Sequence, residues 1–133
     1  MGASHPQNGH SQMNSRAKGS RTMHKARRYA LSFPGTQFWP WYQPPRWATA
    51  QPFDVLLVAP NRWPKFVEIR TNQWRTGNAS TKALAAMPGE GYHKQVWMFR
   101  NGETCPQIRA WDDTTKSWVS MDDPWHTVAG VED

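Results

Sequence analysis

One cysteine, Cys105, is the whole thiol complement of the chain. That excludes an intramolecular disulfide framework and a thiolate-rich zinc site. No apolar run approaches the roughly 20 residues that span a bilayer; the strongest is Val55-Leu56-Leu57-Val58-Ala59. The N-terminal residues lack the apolar stretch of a secretory signal, so we expect a soluble protein of the cytoplasm. No glycine-rich phosphate loop is present, which removes the common nucleotide-binding motifs. His24, His93 and His126 show no metal-ligand spacing. Cys105, next to Pro106, reads as a turn residue rather than a nucleophile.

Acidic residues are missing from one part of the chain. Residues 1–53 contain no Asp or Glu but carry Arg16, Lys18, Arg21, Lys25, Arg27, Arg28 and Arg46, a charge of +7. Residues 54–133 hold the other nine basic residues and all ten acidic ones, a charge of −1. An excess placed this way is an electrostatic footprint for a polyanion, with nucleic acid the first candidate. A solvated basic tail is the plain alternative.

With 133 residues the chain is long enough for one domain with a real core. Residues 1–15, rich in Ser, Gly, Asn and Gln, read as a disordered tail. Residues 16–121 read as the domain, and residues 122–133 as an acidic C-terminal tail, frayed after Asp122. Helical spacing of Met23, Ala26, Ala30 and Leu31 predicts a basic helix over 16–32, stopped by Pro34-Gly35. Thr36–Tyr42 reads as an edge strand because of Pro40. Phe53–Ala59 and Lys65–Asn72 read as a hairpin turning near Asn61. Ser80 or Thr81 is the expected N-cap of a short helix from Lys82 to Met87. Tyr92–Arg100 and Pro106–Trp111 read as strands about an Asn101-Gly102 turn, and Ser117–Ser120 as a last short strand.

Nine tryptophans stand out. Trp39, Trp41, Trp47, Trp63 and Trp74 flank the central hairpin in sequence. Aromatics interleaved with arginine can stack on bases, although packing is the commoner use of any one of them.

The central hairpin also carries the one constellation suited to chemistry. Asp54 opens its first strand and Glu68 lies inside its second. Side chains alternate along a strand, so Phe66, Glu68, Arg70 and Asn72 share a face opposite Val67 and Ile69. Two carboxylates converging across a hairpin form a hard-oxygen site suited to Mg²⁺ or Mn²⁺, able to activate water at a phosphodiester. The competing interpretation is structural: a salt bridge of Glu68 with Arg70, or of Asp54 with Arg62.

In element order and in the segments Pro52-Phe53-Asp54-Val55-Leu56 and Phe66-Val67-Glu68-Ile69-Arg70-Thr71, the chain resembles the PD-(D/E)XK nuclease superfamily, especially its archaeal-type Holliday junction resolvases. The resemblance spans roughly residues 16–111. It implies an α/β fold with a restriction-endonuclease-like core, a mixed central β-sheet flanked by helices. It implies a metal-dependent endodeoxyribonuclease acting on branched or otherwise structured DNA, as a homodimer if it resolves junctions and as a monomer if it nicks or cuts flaps. Asp54, Glu68 and the Ile69 carbonyl would hold Mg²⁺ or Mn²⁺, and position 70 would be the catalytic lysine. Lys18, Arg21, Lys25, Arg27, Arg28, Arg46 and Trp47 would contact DNA.

Two departures accompany the resemblance. Position 70 is Arg70, which grips phosphate but does not accept a proton. Lys65, Lys82 or Lys94 could substitute, with Lys65 at the wrong strand parity. The first helix lacks the acid that many members carry, with Arg27 and Arg28 in that region. Gln73 and Gln95 are expected at the surface. Besides the nuclease, two other functions are compatible with the sequence: a nucleic-acid-binding module that kept the fold and lost the chemistry, and a protein-interaction module using its Trp-rich surface.

Overall fold

A computed structural model describes residues 21–40 and 52–126. The fold is mixed α/β: a six-stranded mixed sheet with one helix on each face. The strands are β1 (Gln37–Pro40), β2 (Val55–Val58), β3 (Lys65–Thr71), β4 (His93–Phe99), β5 (Gln107–Asp112) and β6 (Ser117–Met121). They lie side by side in chain order. All neighbours are antiparallel except β3 and β4, which are parallel. A parallel pair needs a crossover, and the helix α2 (Ala79–Ala86) supplies it. The helix α1 occupies residues 21–31 of the described chain.

Strand alternation decides what each helix covers. Val67 on β3, Trp97 and Phe99 on β4 and Ile108 on β5 join Val55, Leu57 and Phe38 in one core that packs on Ala26 and Ala30 of α1. Small residues at positions 26 and 30, one turn apart, let α1 approach the sheet closely. At one end of α1 the Thr22 and Thr71 hydroxyls hydrogen-bond at 2.8 Å. The opposite face carries Phe66, Glu68, Arg70, Lys94, Val96 and Met98 toward α2, which contributes the buried Leu84 and Thr81.

The elements sit close to where alternation and turn residues put them. β1 is the edge strand, with Pro40 at the end of its ladder opposite Val55. Asn61 turns the β2–β3 hairpin at φ 60°. The β4–β5 connection is longer than a two-residue hairpin. It runs through residues 100–106, with a turn closed by the Glu103 amide donating to Arg100 O and Gly102 at φ 81°.

Three local expectations are corrected. The N-cap of α2 is Asn78, whose Oδ1 accepts from the Thr81 amide at 3.0 Å, and the helix starts at Ala79 rather than Lys82. Ser80 and Thr81 turn their hydroxyls to the sheet instead. Gln95 is buried, not surface, because its Nε2 donates to Pro124 O and its Oε1 accepts from Trp97 Nε1. Residues 123–126 are packed rather than frayed: Asp123 accepts from the Trp125 and His126 amides, Pro124 is buried, and the Trp125 ring lies under Lys65 Nζ at 5.0 Å. No helix of the described residues is long and apolar enough to cross a membrane.

Candidate metal and phosphodiester site

The site forms where the β2–β3 ladder ends. The Asp54 amide donates to Val67 O at 2.8 Å, which continues the ladder one residue beyond Val55. The Asp54 side chain then folds back, and its Oδ2 accepts from the Ile69 amide at 2.7 Å. An amide and carbonyl of one strand residue point to the same side, so the Ile69 carbonyl also faces Asp54 and not β4. Of the three expected metal-binding residues, Asp54 and Ile69 are joined by this hydrogen bond, and the Asp54 charge is near enough to Glu68 to act on its carboxyl.

Glu68 is only 2% exposed. Its Oε2 accepts from Arg70 NH2 at 2.5 Å and from Ser80 Oγ at 3.0 Å. Its other oxygen, Oε1, is buried and has no hydrogen-bond partner among the described residues. A buried carboxylate oxygen left so is costly unless something positive meets it. Burial raises the Glu68 carboxyl above its ordinary range despite Arg70, Thr81 and Ser80, and the nearby Asp54 charge raises it further. Burial likewise raises Asp54, opposed by the Ile69 amide and Arg70. Both groups therefore sit where negative charge is under-compensated.

That donor set suits a hard divalent cation. Glu68 Oε1, the second oxygen of Asp54 and the Ile69 carbonyl are oxygen ligands, and water could complete the shell. Among the described residues no group of three or more His, Cys, Asp or Glu converges on one point, so such a site would have two carboxylates.

Arg70 is a clamp in this arrangement. One NH2 nitrogen serves Glu68 Oε2, Ser80 Oγ at 3.0 Å and Thr81 Oγ1 at 3.1 Å, tying β3 to the first turn of α2. The salt bridge that competed with the metal reading is thus present, on one Glu68 oxygen only. The candidate replacement lysines are elsewhere. Lys65 is buried beside Trp125 on the α1 side, as its parity requires. Lys94 Nζ donates to Ala85 O and Met87 O at the end of α2. Lys82 is exposed on α2 and lines a groove.

The remaining site residues divide between the described chain and the rest. Arg21, Arg27 and Arg28 are exposed on α1, with Lys25 partly covered. Lys18, Arg46 and Trp47 lie outside the described residues, as does Trp41. Of the described tryptophans around the hairpin, Trp63 and Trp74 each pack against a different partner. Trp63 lies against His93 with ring centres 5.2 Å apart, while Trp74 lies under the Arg109 guanidinium at 4.0 Å. Gln73 is exposed, as expected. Sequence reasoning missed Ser80 and Thr81 as partners of the site; a pair of hydroxyls just inside a helix start was the available signal.

No family model, no curated protein and no solved structure matches the chain.

Proposed function

We propose that the protein is a metal-dependent endodeoxyribonuclease with a restriction-endonuclease-like fold, hydrolysing phosphodiester bonds in branched DNA in the manner of a Holliday junction resolvase. The observation that carries this reading is the buried Glu68 Oε1, without a hydrogen-bond partner among the described residues, on a carboxylate that feels the charge of Asp54 at the end of the β2–β3 ladder. Asp54, Glu68 and the Ile69 carbonyl would hold Mg²⁺ or Mn²⁺. A cation bound there supplies Lewis acidity to a water and to a phosphodiester oxygen. Asp54 is fixed by the Ile69 amide, so its free oxygen is aimed without loss of rotamer freedom on binding. Arg70 holds Glu68 in place and adds positive charge near the reacting phosphate, but takes no proton. The exposed cations of α1, Arg21, Arg27 and Arg28, would contact backbone phosphates. Symmetric cutting of a junction calls for two such sites, hence a homodimer.

A second reading, a DNA-binding module without catalysis, is favoured by one observation: Arg70 stands at the lysine position with its NH2 engaged by three partners.

The test is cleavage of end-labelled four-way junction, flap and linear duplex DNA, with Mg²⁺ or Mn²⁺ and with EDTA. Metal-dependent cutting that Glu68→Gln abolishes is the expected result. Tight, salt-sensitive binding with no cutting in either metal selects the second reading. Cutting that survives Glu68→Gln overturns the assignment of the site.

A further inference from the structure

The face of the sheet that carries Glu68 is only partly roofed. α2 is tied to β3 through Arg70 and to β4 through Lys94, and β5 and β6 follow beyond β4 in the sheet. Between α2 and these two strands runs a groove of about 750 Å³. One wall is α2, with Lys82. The other is aromatic: Trp111 on β5 and Trp118 on β6 are register partners, with ring centres 5.3 Å apart. Trp111 is held by its Nε1, which donates to Asp113 Oδ1 at 2.8 Å. Arg109 lies on the groove floor, stacked over Trp74 at 4.0 Å. Lys116 lies at the rim, 3.8 Å from Asp113.

Two features say what such a groove takes. Three cations, Lys82, Arg109 and Lys116, face one carboxylate, Asp113, so the lining favours a polyanion. Partly exposed indoles between those cations offer flat apolar faces, which an acidic peptide would leave unused and unpaired bases would cover. The groove also has direction. At one end it is lined by Thr76 and Gly77, immediately before Asn78 and Ser80, whose side chains connect to Glu68. Past the end of α2, a second cavity shares Trp111 and Asp113 and reaches Trp63 and Tyr92, with Glu90 as its further acidic group.

The geometry points to a track for one unpaired strand of nucleic acid along α2, with bases on Trp111 and Trp118 and phosphates on Lys82, Arg109 and Lys116. The track extends the proposed nuclease site, on whose reading its role as an exit path for a strand rests.

The test is fluorescence anisotropy of labelled oligo(dT) with the full chain, in EDTA so that nothing is cut. Binding is expected, with quenching of tryptophan emission. Trp118→Ala should weaken it roughly tenfold, as loss of a stacked base does, and Trp118→Phe should restore most of it. Lys82→Glu, at an exposed position, should weaken it without disturbing the fold, which a circular-dichroism melt checks. Affinity unchanged in Trp118→Ala and Lys82→Glu, or an abasic strand of equal length binding as tightly, overturns the track. Glu68→Gln run beside them separates the two proposals. Trp118-dependent binding in a chain that cuts no DNA keeps the track and removes the nuclease; metal-dependent cutting with groove-independent binding does the reverse.

Discussion

The Asp54 carboxylate takes the place of a strand partner for Ile69, accepting its amide at 2.7 Å where the β2–β3 ladder runs out. One side chain therefore has two effects: it closes a backbone hydrogen bond and it sets a charge near enough to Glu68 to raise that carboxyl.

The two effects separate by substitution. Asp54→Asn keeps an acceptor for the Ile69 amide and removes a charge that burial disfavours. Its stability should equal or exceed that of the parent, while Mn²⁺ binding falls. Asp54→Ala strands the amide and should cost about 1–3 kcal/mol. Urea unfolding of the two variants, with Mn²⁺ binding followed by paramagnetic resonance, checks both.

Arg70→Ala should be the more damaging change at the Glu68–Arg70 pair. It leaves Glu68, side chain 3% exposed, as a buried charge without its guanidinium, whereas Glu68→Gln leaves Arg70, which is 17% exposed. Breaking a buried pair from the buried side costs about 3–5 kcal/mol. Chemical denaturation at pH 7 should rank Arg70→Ala below Glu68→Gln; the reverse order would contradict the burial argument.

Asn78→Ala removes the N-cap of α2 and one partner of the Ser80 hydroxyl. The expected loss is about 1 kcal/mol. Because Ser80 and Thr81 meet Arg70, the same variant should lower cutting of junction DNA more than its stability loss accounts for. Thermal melting and a cleavage rate measured well below the melting point distinguish these effects.

Tyr29 gives a pH signature. Burial, with smaller contributions from the Asp123 and Cys105 charges, pushes its hydroxyl up to about 12 from 10.0. The folded state therefore keeps a proton that the unfolded chain releases, so this contribution is complete below pH 10 and lost as pH rises toward 12. Discounted for the part of the ring that solvent reaches, it amounts to about 1–2 kcal/mol. Tyr29→Phe, which preserves the edge contacts with Trp97 and Phe33, should flatten the alkaline fall in melting temperature.

Arg27 and Arg28, both exposed on α1, should act through charge alone. Replacing both with alanine should weaken DNA binding evenly across sequences and reduce the log–log salt slope by about two. An unchanged slope would remove α1 from the DNA-contacting surface.

The sequence carried the faces of the central hairpin further than it carried what covers them. The parity of Lys65 through Arg70 put Glu68 and Arg70 on one face and excluded Lys65 from it, and the register of β2 against β3 puts Asp54 at the end of the ladder. Turn chemistry at Asn61 and Gly102 located the bends. Ser80 and Thr81 have the right chemistry for an N-cap, but Asn78 takes that role and the hydroxyls of Ser80 and Thr81 meet Glu68 and Arg70 instead.

What the sequence determined by itself rests on local rules: alternation along a strand, the reach of a turn, the distribution of charge. These need no knowledge of distant partners. The tertiary structure alone decided which helix covers which face. The parallel step from β3 to β4 carries the chain across the sheet through α2, and that crossover brings Ser80 and Thr81 to Arg70 and leaves β5 and β6 unroofed. It also decided that Gln95 is buried, because Pro124, 29 residues away, closes over it. Such contacts depend on where separate elements meet in space, and no spacing within one element encodes that.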